Sequence, residues 1–167
     1  TGSSQVPFVY GAKKDNYKNA GLNVEIVPFQ SAKDRDAAFK SGDLDAVTAD
    51  LSALFNYVNQ GIEVQASAGT ESFFTLIQSP KASKAGMDLT KVEGTVGMSE
   101  KTVIEFYLDY LAKEKGYKFK KVAIPAIPDR FAALMAGELD SSLMPDPFPT
   151  IAKGKGSKAV AAKTVDV

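Results

Sequence analysis

Apolar residues recur along this chain with two periods, and stretches of the two periods alternate. Val103, Phe106, Tyr107, Tyr110 and Leu111 stand at i, i+3, i+4, i+7 and i+8. That spacing sets one stripe of a helix against a core, so a helix is predicted over 101–115, closed by Gly116. Shorter runs rich in β-branched and aromatic residues read as strands at 24–29, 45–48, 64–68, 73–77, 94–98, 119–124, 140–144 and 158–162. Helix-forming stretches lie between them at 34–40, 51–59 and 128–136, with one starting near Pro7 and a short one after Pro147. Asp50 and Ser99 are the expected N-caps, because a short acceptor side chain satisfies free backbone N–H groups there. Strands alternating with helices predict an α/β fold with parallel-type sheets flanked by helices.

One segment occurs twice. Asp34-Arg35-Asp36-Ala37-Ala38-Phe39-Lys40-Ser41-Gly42-Asp43-Leu44-Asp45 returns 95 residues later as Asp129-Arg130-Phe131-Ala132-Ala133-Leu134-Met135-Ala136-Gly137-Glu138-Leu139-Asp140, with seven of twelve positions identical. Each copy reads as a helix, a glycine stop, an acidic turn and a strand. Such a join is common in α/β proteins and can arise without duplication. The other reading is two similar lobes in tandem, since solenoid repeats run only about 20–50 residues. Two lobes enclose a cleft, a favoured place for a small ligand. The boundary is expected between 78 and 79, giving a first lobe of 1–78 and a second of 79–167.

Composition narrows the chemistry. The chain has 167 residues, with 20 Lys+Arg against 20 Asp+Glu, so its formal net charge is zero. That gives no basic face for duplex nucleic acid. Cys and His are both absent, which removes disulfides, thiolate chemistry, a Ser-His-Asp triad and most zinc sites. No metal site and no cofactor are therefore expected. No apolar run approaches the roughly 18 residues that span a bilayer.

With the repeat in place, several short segments carry a resemblance. They are Val6-Pro7-Phe8, Gly21-Leu22-Asn23-Val24-Glu25-Ile26-Val27, Ser41-Gly42-Asp43-Leu44-Asp45-Ala46, Val96-Gly97-Met98-Ser99, Ile127-Pro128-Asp129-Arg130 and Met144-Pro145-Asp146-Pro147-Phe148. In order and spacing the chain resembles the type II periplasmic-binding-protein fold, in particular the ABC-importer binding proteins for sulfonates, nitrate and thiamine-precursor pyrimidines. The resemblance implies two similar lobes with a ligand between them. Against it, the chain lacks a strand before Ser3-Ser4-Gln5 and a helical return after Val167. It is therefore expected to be truncated at both ends, with an incomplete first lobe.

In open α/β sheets, ligands sit beyond the carboxyl ends of strands, near helix N-termini whose dipoles and free N–H groups attract acceptors. That places candidate contacts at Ser3, Ser4 and Gln5 before the first helix, at Thr48, Asp50 and Thr70 after first-lobe strands, and at Ser99, Thr102, Asp146 and Phe148 after second-lobe strands. Each has a plainer role open to it. Asp50 and Ser99 can be simple caps, Thr48 a buried strand residue and Phe148 core. Arg35 and Arg130 hold equivalent repeat positions, which points to pairing with adjacent acids rather than to an anion clamp. With the arginines so occupied, the acids and hydroxyls of the loops favour a small polar organic molecule bearing a hydrogen-bond donor. A sulfonate held by backbone N–H groups stays open.

The function expected is capture of that molecule in an interlobe cleft and delivery to an ABC-importer permease. The protein would act as an extracytoplasmic monomer, periplasmic or anchored as a lipoprotein, with no catalysis. Two alternatives use the same fold. One is an enzyme, pyrimidine synthase-like or menaquinone-pathway dehydratase-like; the synthase chemistry needs a histidine that is missing here. The other is the effector-binding domain of a transcription regulator, for which no basic recognition segment is present.

Overall fold

The computed structural model describes residues 5–69 and 71–166, with backbone alone at 72 and 162–166. Four helices occupy the first part: α1 (Val6–Lys13), α2 (Asn16–Asn19), α3 (Ala32–Ser41) and α4 (Leu51–Asn59). The remainder alternates: β1 (Glu71–Gln78), α5 (Pro80–Lys84), β2 (Gly94–Met98), α6 (Val103–Lys115), β3 (Phe119–Ala123), α7 (Ile127–Ala136), β4 (Ser141–Pro145), α8 (Phe148–Gly154) and β5 (Ala159–Asp166). The strands form one sheet in the order β3-β2-β4-β1-β5. β2 pairs in parallel with β3 and β4. β1 lies antiparallel between β4 and β5, so it alone runs against the other four. β1 comes from the first part of the chain, not through a helix from a neighbouring strand, so the parallel rule for strand-helix-strand units does not govern its direction.

Helices cover both faces of this sheet, and the period of two along each strand sorts its side chains between them. Leu76 of β1, Val96 and Met98 of β2 and Leu143 of β4 meet Ile104, Tyr107, Leu108 and Leu111 of α6. Their strand neighbours Ile77 and Met144 turn the other way, to Leu134 of α7, Leu139 and Ala152 of α8. Strands buried on both faces read as near-continuous apolar runs, as 73–77 does. Asp140 fixes how β2 sits on β4. Its carboxylate accepts from Thr95 N at 2.8 Å and from Thr95 Oγ1 at 2.9 Å.

The two copies of the repeat fold alike as far as the helix stop. α3 and α7 each have ten residues and end at a left-handed glycine, Gly42 at φ 86° and Gly137 at φ 76°. Asp43 N donates to Ala38 O and Glu138 N to Ala133 O, both at 3.0 Å, a matched pair of Schellman closures. They then diverge. The second copy enters β4, whereas 45–48 joins no ladder.

The other strands expected early in the chain, 24–29 and 64–68, are also unpaired; among the described residues no strand precedes β1. The sequence pattern there is strand-like, but a strand exists only against a neighbour about 4.8 Å away. Val24, Ile26 and Val27 are accordingly exposed. What holds this region is helix packing. Tyr57 of α4 is buried, its ring lies 5.0 Å from that of Phe39, and its hydroxyl donates to Asp36 Oδ1 at 2.7 Å. Burial and then the Asp36 carboxylate push this phenol well above its ordinary pKa. The boundary expected at 78/79 falls after β1, whose ladder pairs are with β4 and β5.

Gly97, in the middle of β2, is required by close approach. A Cβ there would stand 2.5 Å from Leu139 Cδ1 and 2.9 Å from Arg130 Cγ, both in buried residues. Gly97→Ala should lower unfolding stability by about 1–3 kcal/mol through overpacking. Urea unfolding followed by circular dichroism checks this, with an unchanged midpoint as the contrary result.

Candidate functional site

β2 and β4 run in the same direction, so their carboxyl ends, Met98 and Pro145, open on one edge of the sheet. The turn from β2 to α6 passes through Ser99 and Thr102. Thr102 is the N-cap of α6: its hydroxyl accepts from Ile104 N at 3.3 Å and donates to Ser99 O at 2.9 Å. Ser99 is therefore not the cap that its position suggested. It is buried, donates to Pro125 O at 3.2 Å and accepts from Arg130 Nη1 at 2.7 Å. Three residues after this cap, Glu105 reaches back to accept from Lys101 N at 2.7 Å, so the N–H groups at this helix start are well served by side chains.

Asp50 reaches the same place from the first part of the chain. One carboxylate oxygen accepts from Ala53 N at 2.9 Å, the N-cap bond of α4. The other accepts from Val103 N at 3.3 Å, the first residue of α6. A single carboxylate thus answers two helix N-termini, each carrying partial positive charge. Two segments 53 residues apart in sequence meet here, and the contact is polar.

Arg130 departs furthest from expectation. Arg35, its partner in the repeat, does pair with an adjacent acid: Nε and Nη2 donate to Asp36 Oδ1 at 2.8 and 2.7 Å. Arg130 does not. It is 0% exposed, donates from Nη1 to Ser99 Oγ and to Ile124 O, and leaves Nε and Nη2 without a partner. The reason lies in the repeat itself. The position of Asp36 is taken in the second copy by Phe131, whose ring packs 5.3 Å from Phe148. Burial pushes the Arg130 guanidinium down to about 10, which leaves it charged at neutral pH.

The other candidates divide. Asp146 is half-buried just after β4 and accepts from Thr150 Oγ1 of α8 at 2.8 Å. Phe148 is half-buried against Phe131 and serves the core. Gln5 stands at the N-cap position of α1 without a side-chain cap bond, and Thr48 is exposed ahead of α4. Ser3, Ser4 and Thr70 lie outside the described residues. The structure so brings Asp50, Ser99 and Thr102 together, with Asp146 on the same sheet edge. Sequence reasoning missed the Val103 amide and the burial of Arg130. The change from Asp36 to Phe131 between the copies was the available signal for the second.

The profile of the NMT1/THI5-like family matches residues 3–162. The chain belongs to that family. Solved structures with the same fold include a protein from Bordetella bronchiseptica RB50, at TM-score 0.77 and 18% identity over 95% of this chain and 52% of that one. A second is the ligand-binding component of an ABC-type import system from Staphylococcus aureus with zinc bound, at TM-score 0.69 and 18% identity over 84% and 50%. A third is an ancestral arginine-binding protein bound to arginine, at TM-score 0.61 and 21% identity over 93% and 69%. No curated protein matches the chain. This member of the NMT1/THI5-like family spans between 50% and 69% of the length of these three neighbours. Its fold is that of type II periplasmic binding proteins, the fold its motifs implied. Among the described residues no group of three or more His, Cys, Asp or Glu is placed to hold a metal ion, and no helix is long and apolar enough to cross a membrane.

Asp50→Ala removes the cap of α4 and the acceptor on α6 together. It should cost about 0.5–2 kcal/mol of stability and speed amide exchange at Val103 as well as at Ala53. Exchange measured residue by residue separates the two. Acceleration at Ala53 alone would mean that the bridge to α6 does not form.

Proposed function

We propose that this chain is the ligand-capturing part of a solute-binding protein that serves an ABC importer. The observation that carries this is the meeting of the α4 and α6 N-termini at Asp50, at the carboxyl edge of the sheet. Two helix starts from different parts of the chain, with the Asp50 carboxylate between them, bring polar groups to one place, which supports a site for a small solute. Family membership and fold support the general solute-binding role. The finer reading is that a small polar organic molecule occupies a cleft between two lobes divided near residue 78. Closure around it would present a surface to a membrane permease. Asp50, Ser99, Thr102 and Asp146 are the main contacts proposed, with Ser3, Ser4, Gln5, Thr48, Thr70 and Phe148 as the further candidates. The protein would work outside the cytoplasm, periplasmic or lipid-anchored, as a monomer and without turning over its solute.

Native mass spectrometry of the full-length protein with a metabolite extract tests this. A discrete mass shift is expected, with the solute released chemically unchanged. Conversion of that solute by the protein alone would refute the binding role. Ser99→Ala and Asp146→Ala are each expected to weaken solute retention by several-fold, on the order of one hydrogen bond. Full retention in both variants would place the site elsewhere.

A further inference from the structure

Arg130 is one of the largest fully buried side chains among the described residues, and it is a cation. Burying a charge without a counter-charge is costly, and natural cores rarely do so. No carboxylate stands within salt-bridge distance of it among the described residues, and two of its nitrogens have no partner. The room for its stem is specific as well. Arg130 Cγ lies where a Cβ on residue 97 would be 2.9 Å away, so the glycine in β2 admits this arginine. What the guanidinium holds is the turn of the candidate site. Nη1 binds Ser99 Oγ at 2.7 Å and Ile124 O at 3.2 Å, joining the exits of β2 and β3. Ser99 O in turn receives the hydroxyl of Thr102, the cap of α6. A polar chain therefore runs from Arg130 through Ser99 and Thr102 to the helix start that Asp50 meets.

We infer that Arg130 is a positioning residue for solute binding: from beneath the β2–α6 turn it fixes Ser99 and Thr102, and with them the amides at the start of α6. The inference rests on the solute-binding role proposed above. A cation kept in a core at a cost to stability belongs to a site whose geometry it serves. The repeat supplies the comparison. Arg35 occupies the same position in the first copy, is neutralised by Asp36, and belongs to a packing network with Tyr57.

The test uses the full-length protein and three variants, with the whole metabolite extract as the probe. Native mass spectrometry gives the extract dilution at which half the protein carries a solute, and thermal unfolding without extract gives the stability. Arg130→Met removes the charge and keeps much of the volume. Its midpoint of unfolding should match or exceed the parent's, while about ten-fold more concentrated extract is needed for half-loading, the loss of one charged hydrogen bond. Arg130→Lys keeps a cation within reach of Ser99 and should recover part of that loss. Arg35→Met should do the opposite, lowering the midpoint while half-loading stays at the parent's dilution. Half-loading of Arg130→Met at the parent's dilution would overturn the inference. So would an Arg130→Met protein that is unfolded or unstable, with Arg130→Lys no better, because Arg130 would then be a structural brace. A parent that carries no solute at all would remove the solute-binding role itself, whereas a loaded parent with an equally loaded Arg130→Met protein removes only the role of Arg130.

Discussion

The antiparallel seat of β1 between β4 and β5 is the constraint on which the rest depends. β1 carries the chain out of the helical first part and into the sheet, and it is bonded on both edges. With β1 seated between β4 and β5, Leu76 and Ile77 join the two opposite cores. The same placement leaves the carboxyl ends of β2 and β4 together on one edge. Helix α6 starts at that edge, and the only polar group that answers its first amide from the first part, among the described residues, is Asp50.

Two polar devices then sit on either side of the α6 start. Asp50 is half-buried and shares its charge between two helix termini, where the partial positive charge of both favours a carboxylate. Arg130 lies beneath, in the core, with no acid to offset it among the described residues. The first is an inexpensive arrangement, since exposed caps commonly contribute stability. The second is a costly one, made feasible by Gly97 and by the acceptors at Ser99 and Ile124. The contrast explains why the two copies of the repeat can share a helix and a glycine stop yet differ in chemistry. One acid-to-phenylalanine difference, Asp36 against Phe131, neutralises one arginine and strands the other.

Local signals in the sequence carried most of the element pattern. Gly42 and Gly137 close their helices where the repeat placed them, because a left-handed C-cap needs a residue without a Cβ and nothing distant alters that. Asp50 capped α4, and a helix formed over Val103–Lys115, but its buried face is Ile104, Tyr107, Leu108 and Leu111, while Phe106 and Tyr110 of the expected stripe are exposed. The early strands failed for the converse reason. Val24, Ile26 and Val27 have strand character, but a ladder is a relation between two segments, and no spacing within one segment reports its partner. The short α5, capped by Ser79, and the reversed direction of β1 were likewise not legible.

The sequence by itself therefore determined the α/β class, the helix ends, the repeat and the family to which the motifs point. It also put Asp50, Ser99 and Thr102 in strand-to-helix loops, where the general rule for open sheets looks for a ligand. Only the tertiary structure decided that these loops meet, that Thr102 and not Ser99 caps α6, that Phe148 turns to the core, and that Arg130 is enclosed without a counter-charge. The division has one physical origin. Caps, turns and amphipathic stripes are settled within a few residues of chain, whereas pairing, burial and charge compensation are settled by whichever distant segment packs alongside.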